Sequence, residues 1–293
     1  MEFSGSYVAI VTPWTKDLSG IDYGALKALL DWHVASGTTG ILPAGTTGES
    51  PTLTHKEHRE LVEKTIELVG GRCKVMAGAC SNSTAESITM AKDAKAAGAD
   101  SMLVITPYYN RPTPEGQYRH FGAIAEACDL PAMIYNIPGR TGTNSTPDII
   151  VRVNRDFPTM CAVKEASGSV DQASQIIGQS KMDVLSGDDS MALPVMAVGG
   201  KGVVSVIANI MPAETAELCR LALAGEYAKA RELHYRLLPV MKACFVESNP
   251  APVKTAMEIM GKCSGGMRLP MVEIKPESRK VVEEAMRKVG LVG

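Results

Sequence analysis

Ser101–Tyr135 reads SMLVITPYYNRPTPEGQYRHFGAIAEACDLPAMIY and holds one complete structural repeat. Ser101–Ile105 is a continuous apolar run, Thr106–Pro112 is turn-rich, Glu115–Ala127 has helical period, and Ala132–Tyr135 is apolar again. A strand without polar alternation is buried on both faces, as in a parallel sheet covered by helices. The same unit recurs on either side. Further strands are predicted at Tyr7–Val11, Gly40–Ala44, Lys74–Ala77, Met160–Val163, Asp183–Leu185 and Gly202–Val206. Helices are predicted at Tyr23–Ala35, Lys56–Val69, Thr84–Ala97 and Ala213–Ala224, with Gly37, Gly70 and Gly98 near the ends of three of them, where C-caps favour glycine. Eight strands alternating with helices over about 225 residues predict an α/β fold, a (β/α)8 TIM barrel. A doubly wound open sheet is the competing architecture, but no G-x-G-x-x-G follows the first strand. Beyond Gly225 the strands stop, and Glu226–Val246, Pro252–Met260 and Glu277–Val289 read as helices. The predicted division is a barrel domain, 1–225, and a small C-terminal helical domain, 226–293.

A chain of 293 residues has ample apolar surface to bury without staples. Its 45% hydrophobic and 21% charged residues are ordinary for a globular protein and exclude collagen, coiled coil and disorder. A net charge of −2 with dispersed basic residues gives no field for nucleic acid or an anionic membrane. Seven cysteines without a C-x-x-C pair argue against a disulfide framework and for a reducing, cytoplasmic setting. The start, MEFSGSYVAIVTPW, lacks a basic segment followed by a long apolar one, so no signal peptide is expected. No apolar run reaches the roughly 18 residues of a membrane span.

In a parallel barrel the C-terminal strand ends open on one face, and that face carries the chemistry. Four strands end in reactive stretches: Gly45–Ser50, Thr106–Pro112, Tyr135–Gly142 and Val163–Gly168. Lys164 follows the apolar run Met160–Val163, where burial disfavours an ammonium and frees the amine to attack carbonyls. Position alone also allows a lysine that reaches solvent or pairs with Glu165. Tyr135 ends the neighbouring strand and is suited to pass protons, although a strand-end tyrosine with a satisfied hydroxyl reads the same way. Arg140 offers a fork that matches a carboxylate, or a loop arginine on a surface acid. The Gly-Thr-Thr-Gly turn offers hydroxyls and close backbone N–H groups.

Other features carry less. His55 and His58 lie three apart at a helix start without H-E-x-x-H or a cysteine partner, and read as exposed helix residues; no metal site is predicted. Gly199-Gly200-Lys201-Gly202 near the eighth strand fits a barrel phosphate site or simply a tight turn. No Walker A or G-x-S-x-G pattern is present.

Gly45-Thr46-Thr47-Gly48-Glu49-Ser50, Thr106–Pro112, Tyr135–Gly142 and Val163-Lys164-Glu165-Ala166 together resemble the motifs of the dihydrodipicolinate synthase family, pyruvate-dependent class I aldolases that include N-acetylneuraminate lyase. The likeness runs on through Ser186-Gly187-Asp188-Asp189, Phe245-Val246-Glu247 and Arg268-Leu269-Pro270-Met271, over essentially the whole chain. It implies a barrel with a C-terminal helical domain, assembled as a homotetramer. It implies that Lys164 forms an imine with pyruvate, with Tyr135 as proton donor and acceptor in a relay with Thr46 and Tyr109. Tyr109 would cross from a neighbouring subunit. Thr47 and the backbone at Val204 would hold the pyruvate part, and Arg140 the carboxylate of L-aspartate 4-semialdehyde. The implied reaction condenses the lysine-bound enamine of pyruvate with that aldehyde, on the route to diaminopimelate and lysine, and needs no metal or organic cofactor. The alternative is another Schiff-base aldolase or dehydratase acting on a 2-keto sugar acid.

Ser50, His55, His58, Asn82, Glu86 and Tyr108 match positions where lysine-sensitive members of that family bind L-lysine at a dimer interface. The resemblance therefore implies feedback inhibition by L-lysine. A barrel decayed into a binding module and a phosphate-gripping barrel built on Gly199–Gly202 are the competing classes; both predict no borohydride-trapped pyruvate adduct.

Overall fold

The computed structural model describes residues 2–293. Eight parallel strands close a barrel in chain order: β1 (Gly5–Ala9), β2 (Gly40–Leu42), β3 (Lys74–Gly78), β4 (Ser101–Ile105), β5 (Ala132–Asn136), β6 (Met160–Glu165), β7 (Asp183–Ser186) and β8 (Gly202–Ser205). Around them run α1 (Tyr23–Ala35), α2 (His55–Val69), α3 (Thr84–Ala97), α4 (Pro114–Ala127), the single turn α5 (Pro138–Thr141), α6 (Pro147–Asp156), α7 (Val170–Gln179), α8 (Ala192–Ala197) and α9 (Pro212–Leu223). Three more helices follow: α10 (Tyr227–Ala243), α11 (Ala251–Ile259) and α12 (Pro276–Lys288).

Helix ends obey local chemistry. Thr54 and Glu57 form a reciprocal capping box at the start of α2, which ends on Gly70 in the left-handed region. Asp22, Ser83, Thr113 and Ser169 cap α1, α3, α4 and α7 with side-chain acceptors. Prolines open α4, α5, α6 and α9, where a missing N–H is harmless.

Two kinds of apolar layer hold the barrel. Inward-facing Tyr7, Ala9, Leu42, Met76, Leu103, Met133, Ala162, Leu185 and Val204 fill its interior. Outward-facing residues such as Val8, Ile41, Val104, Ile134 and Val163 pack under the helices. One outer cluster runs from β1, α1 and α9 into Leu237, Val253, Met257 and Met286 of the last helices, so these seat directly on the barrel. We propose residue 225 as the boundary between barrel and appended helices, a topological division, since the packing is continuous across it.

β1 lies two residues earlier than its apolar run suggests. Gly5 pairs with Gly202 and Ala9 with Leu42, whereas the Val11 amide is already claimed by the Asn209 side chain. Gly199–Gly202 leads into the first residue of β8 and so sits at the barrel's N-terminal end, opposite the face that carries the site. A Cβ at Gly200 would come within 2.7 Å of the Val195 carbonyl oxygen, and Gly199 holds φ +108°, so these glycines make a tight turn. The phosphate-site expectation for that segment is corrected accordingly.

Candidate active site

Lys164 and Tyr135 are register partners on β6 and β5. Both side chains point into the barrel, and the Lys164 Nζ lies 4.0 Å from the centre of the Tyr135 ring. Lys164 is 5% exposed and has neither an ion pair nor a hydrogen bond among the described residues. Glu165, the alternative partner, points to the opposite face. Its carboxylate accepts from Gln172 Nε2 at 2.9 Å, Asn136 Nδ2 at 3.1 Å and the Ser167 amide at 2.6 Å. Burial pushes Lys164 down to about 8, with Cys80 and Asp189 opposing and Arg140 adding to the shift. Burial likewise pushes the Tyr135 phenol up to about 12, against the pull of Arg140 and the Thr46 hydroxyl. The site thus joins an amine that is easily freed to a phenol that keeps its proton.

Gly187 makes room for the lysine. A Cβ there would meet Ala166 Cβ at 2.7 Å and Lys164 Cε and Cγ at 3.1 Å. Next to it Asp189, buried on the loop after β7, accepts from Ser205 Oγ and from the Val206 and Ile207 amides. That carboxylate holds the end of β8, where Val204 completes the interior layer. Behind β4 and β5, Thr106, Ser145 and Gln117 form a chain of hydroxyl and amide bonds of 2.7 Å, and Asn136 accepts from the Ser145 amide at 2.9 Å. These links lock the strand ends that carry the reacting groups.

The mouth is a cavity of about 410 Å³ whose lining includes Thr46, Tyr135, Arg140 and Cys80 together with Ser50, His55, His58, Glu86 and Tyr108. Thr47 is buried beside it, its Oγ1 accepting from Asn249 Nδ2. Arg140 stands on α5, whose Gly142 C-cap adopts φ +69°, and donates from Nη2 to the Asn249 carbonyl at 3.0 Å. Asn82 stands next to the cavity, donating to the Tyr108 carbonyl at 3.2 Å. Tyr109 is not brought to this chain's own site: its ring is 89% exposed, on a backbone at φ +68°. His58 is buried, which corrects the expectation of two exposed histidines; His55 remains exposed and lies 3.4 Å from a Glu86 oxygen. The Glu86 carboxylate also bonds to the Ser81 hydroxyl.

Contacts that the sequence reading did not assign support the Thr46-Thr47 turn. Glu49, in the left-handed region at φ +57°, forms a fully buried ion pair with Lys254 of α11 at 2.7 Å. The other two Lys254 protons go to the carbonyls of Thr12 at 3.1 Å and Gly266 at 2.6 Å. Glu49 also accepts from Trp14 Nε1 at 3.0 Å and from the Arg268 amide. Arg268 pairs with Glu57 at 2.6 Å and stacks 3.9 Å over Trp14. The helices after residue 225 therefore brace the loop next to the site. A lysine in an apolar helix start was the one available signal, and it gives no partner 205 positions away.

Comparison with known proteins agrees with this architecture. The Dihydrodipicolinate synthetase family model matches residues 2–289. A 4-hydroxy-tetrahydrodipicolinate synthase of Methanocaldococcus jannaschii is 46% identical over 290 residues, 99% of this chain and 100% of the relative. A dihydrodipicolinate synthase of Acinetobacter baumannii, crystallised in complex with pyruvate, is 41% identical, with a TM-score of 0.97 over 99% of this chain and 100% of that one. One from Cyanidioschyzon merolae with lysine bound is 38% identical, with a TM-score of 0.96 over 99% of each chain. With its barrel, its lysine strand end and its full-length match, this chain belongs to the dihydrodipicolinate synthetase family.

Proposed function

We propose that the chain condenses pyruvate with L-aspartate 4-semialdehyde through an imine on Lys164, the activity of a 4-hydroxy-tetrahydrodipicolinate synthase. The observation that carries the chemistry is the buried, unpaired amine lying against the Tyr135 ring. The Lys164 Nζ lone pair attacks the ketone carbon of pyruvate, and loss of water leaves the imine. The imine withdraws electrons from the adjacent methyl, which gives up a proton to form the enamine. That carbon bonds to the aldehyde carbon of the semialdehyde, whose oxygen takes a proton and becomes the hydroxyl. The semialdehyde's own amine then adds to the imine carbon, the bond to Nζ breaks, and the six-membered ring closes as lysine leaves.

Each side chain has a part in this reading. Tyr135, protonated at neutral pH, donates to and accepts from the oxygen and carbon centres, with Thr46 beside its hydroxyl. Thr47 and the backbone at Val204 hold the pyruvate carboxylate and the imine. Arg140, bonded once to the Asn249 carbonyl, keeps its remaining donors for the semialdehyde carboxylate. An exposed Tyr109 ring on a left-handed backbone supports its crossing to a second copy to complete the relay, within a homotetramer. Holding both reactants in one cavity supplies the entropic part of the rate.

The same cavity supports regulation. Ser50, His55, His58, Glu86 and Tyr108 offer a carboxylate and polar groups to the L-lysine effector, with Asn82 holding the Tyr108 loop. The enzyme works in a reducing cytosol, a reading supported by seven free thiols. No helix among the described residues is long and apolar enough to cross a membrane.

The decisive experiment supplies pyruvate with L-aspartate 4-semialdehyde or a panel of sugar aldehydes. Preferred turnover of the semialdehyde, and a borohydride-trapped pyruvate adduct lost in Lys164→Ala, are expected; preference for a sugar aldehyde overturns the substrate. L-Lysine titrated at low pyruvate lowers the rate; undiminished activity at millimolar-scale lysine removes the effector assignment.

A further inference from the structure

The segment between α10 and α11 folds back over the barrel mouth, and Asn249 on it touches two loops at once. Its Nδ2 donates to Thr47 Oγ1 at 3.0 Å, and its carbonyl accepts from Arg140 Nη2 at 3.0 Å. Asn249 is 4% exposed, and its Oδ1 has no partner among the described residues. The direction of the bond to Thr47 matters. A hydroxyl has one proton, and an amide N–H donated onto its oxygen leaves that proton to point elsewhere. No acceptor among the described residues takes it. A carboxylate only accepts, so a threonine that binds one must present its O–H outward.

From this we infer that Asn249 is a positioning residue for both substrate carboxylates: it sets the Thr47 hydroxyl as a donor toward pyruvate and, through its carbonyl, holds the Arg140 guanidinium at the mouth. The inference rests on the reading of Thr47 and Arg140 as carboxylate binders. It makes the segment after α10 part of the specificity apparatus, since the residue that joins the two binding loops comes from outside the eight βα units. An aspartate of the same shape reverses the polarity. It accepts the Thr47 proton and sets a second anion beside the pyruvate carboxylate.

Steady-state kinetics of Asn249→Ala, Asn249→Asp, Thr47→Val and the pair Asn249→Ala/Thr47→Val test this, with borohydride trapping on each protein. Asn249→Ala raises the pyruvate KM about tenfold, the equivalent of about 1.4 kcal/mol, and leaves kcat within about twofold. Asn249→Asp, nearly isosteric and so the variant that reports if the alanine does not fold, raises it about a hundredfold. On the Thr47→Val background the alanine adds less than about twofold, because the bond it removes is already gone. An unchanged pyruvate KM in Asn249→Ala overturns the inference. So does a penalty of equal size with and without the Thr47 hydroxyl, or an aspartate variant that binds pyruvate as well as the parent. A parent enzyme that yields no borohydride adduct overturns the reading of Lys164 and this inference with it. A normal adduct beside an unchanged KM overturns Asn249 alone.

Discussion

Replacing Lys164 with methionine removes the nucleophile and stabilises the fold at neutral pH. Methionine matches the lysine stem in length and fills an apolar interior well. The lysine is buried, unpaired, and held down to about 8 from an ordinary 10.5. Near pH 7 both folded and unfolded chains carry the proton, and the folded state bears the whole cost of burying it, about 3 kcal/mol for a shift of that size. Above pH 8 the folded chain releases its proton while the unfolded chain keeps it, so the parent gains stability with rising pH. The advantage of Lys164→Met therefore falls to about half near pH 9.5 and vanishes above the unfolded value. At about 2 °C per kcal/mol for a chain this long, the variant melts about 6 °C higher at pH 7. Calorimetry or denaturant titration at both pH values, with pyruvate absent, measures this. A variant less stable than the parent at pH 7, or an advantage that does not shrink with pH, refutes the claim that Lys164 is a buried unpaired amine.

Gly187→Ala sets a methyl against Lys164 and Ala166, so borohydride trapping of pyruvate slows at least tenfold while the circular dichroism spectrum stays native; unaltered trapping would show that the lysine needs no such room. Lys254→Met leaves the Glu49 charge buried and unpaired and costs about 3–5 kcal/mol, whereas Glu49→Gln/Lys254→Met recovers most of it; additive losses in denaturant titrations would contradict the pairing. His33 and His120 are each held down to about 4 by burial, so both are neutral in the folded chain. The unfolded chain protonates near 6.5, so stability falls as the pH drops from there toward 4, by about 2 kcal/mol per histidine at pH 5. Exchanging either for glutamine flattens the acid limb of the denaturant midpoint against pH, and an unchanged limb would falsify that assignment.

The order of strands and helices was legible because each βα unit carries its own apolar run, cap and turn. Thr54 and Glu57 announce α2, and Pro114 announces α4, from neighbours three residues away or fewer. Lys164, Tyr135, Thr46 and Arg140 were legible as strand-end residues of one barrel face. The braces were not. Glu49 finds Lys254, Thr47 finds Asn249 and Asp189 finds Ser205 and the Val206 and Ile207 amides only after long loops have closed, and no local period encodes a partner so distant.

The direction in which Lys164 points shows the division most sharply. Along β5 the faces alternate: Ala132 and Ile134 outward, Met133 and Tyr135 inward. On β6 Met160 faces outward, and strict alternation from it would turn Lys164 out among the helices. The ladder slips there: Ala132 pairs with Met160 but Met133 with Ala162, so Cys161 is an extra residue and both Cys161 and Ala162 lie against the barrel interior. That bulge reverses the remaining residues, sending Val163 outward and Lys164 inward beside Tyr135. The sequence by itself determined that a lysine ends an apolar strand of a parallel barrel, because strand character is a local property of side chains. Which face the lysine takes was decided by pairing between two strands, a property that exists only once the barrel has closed.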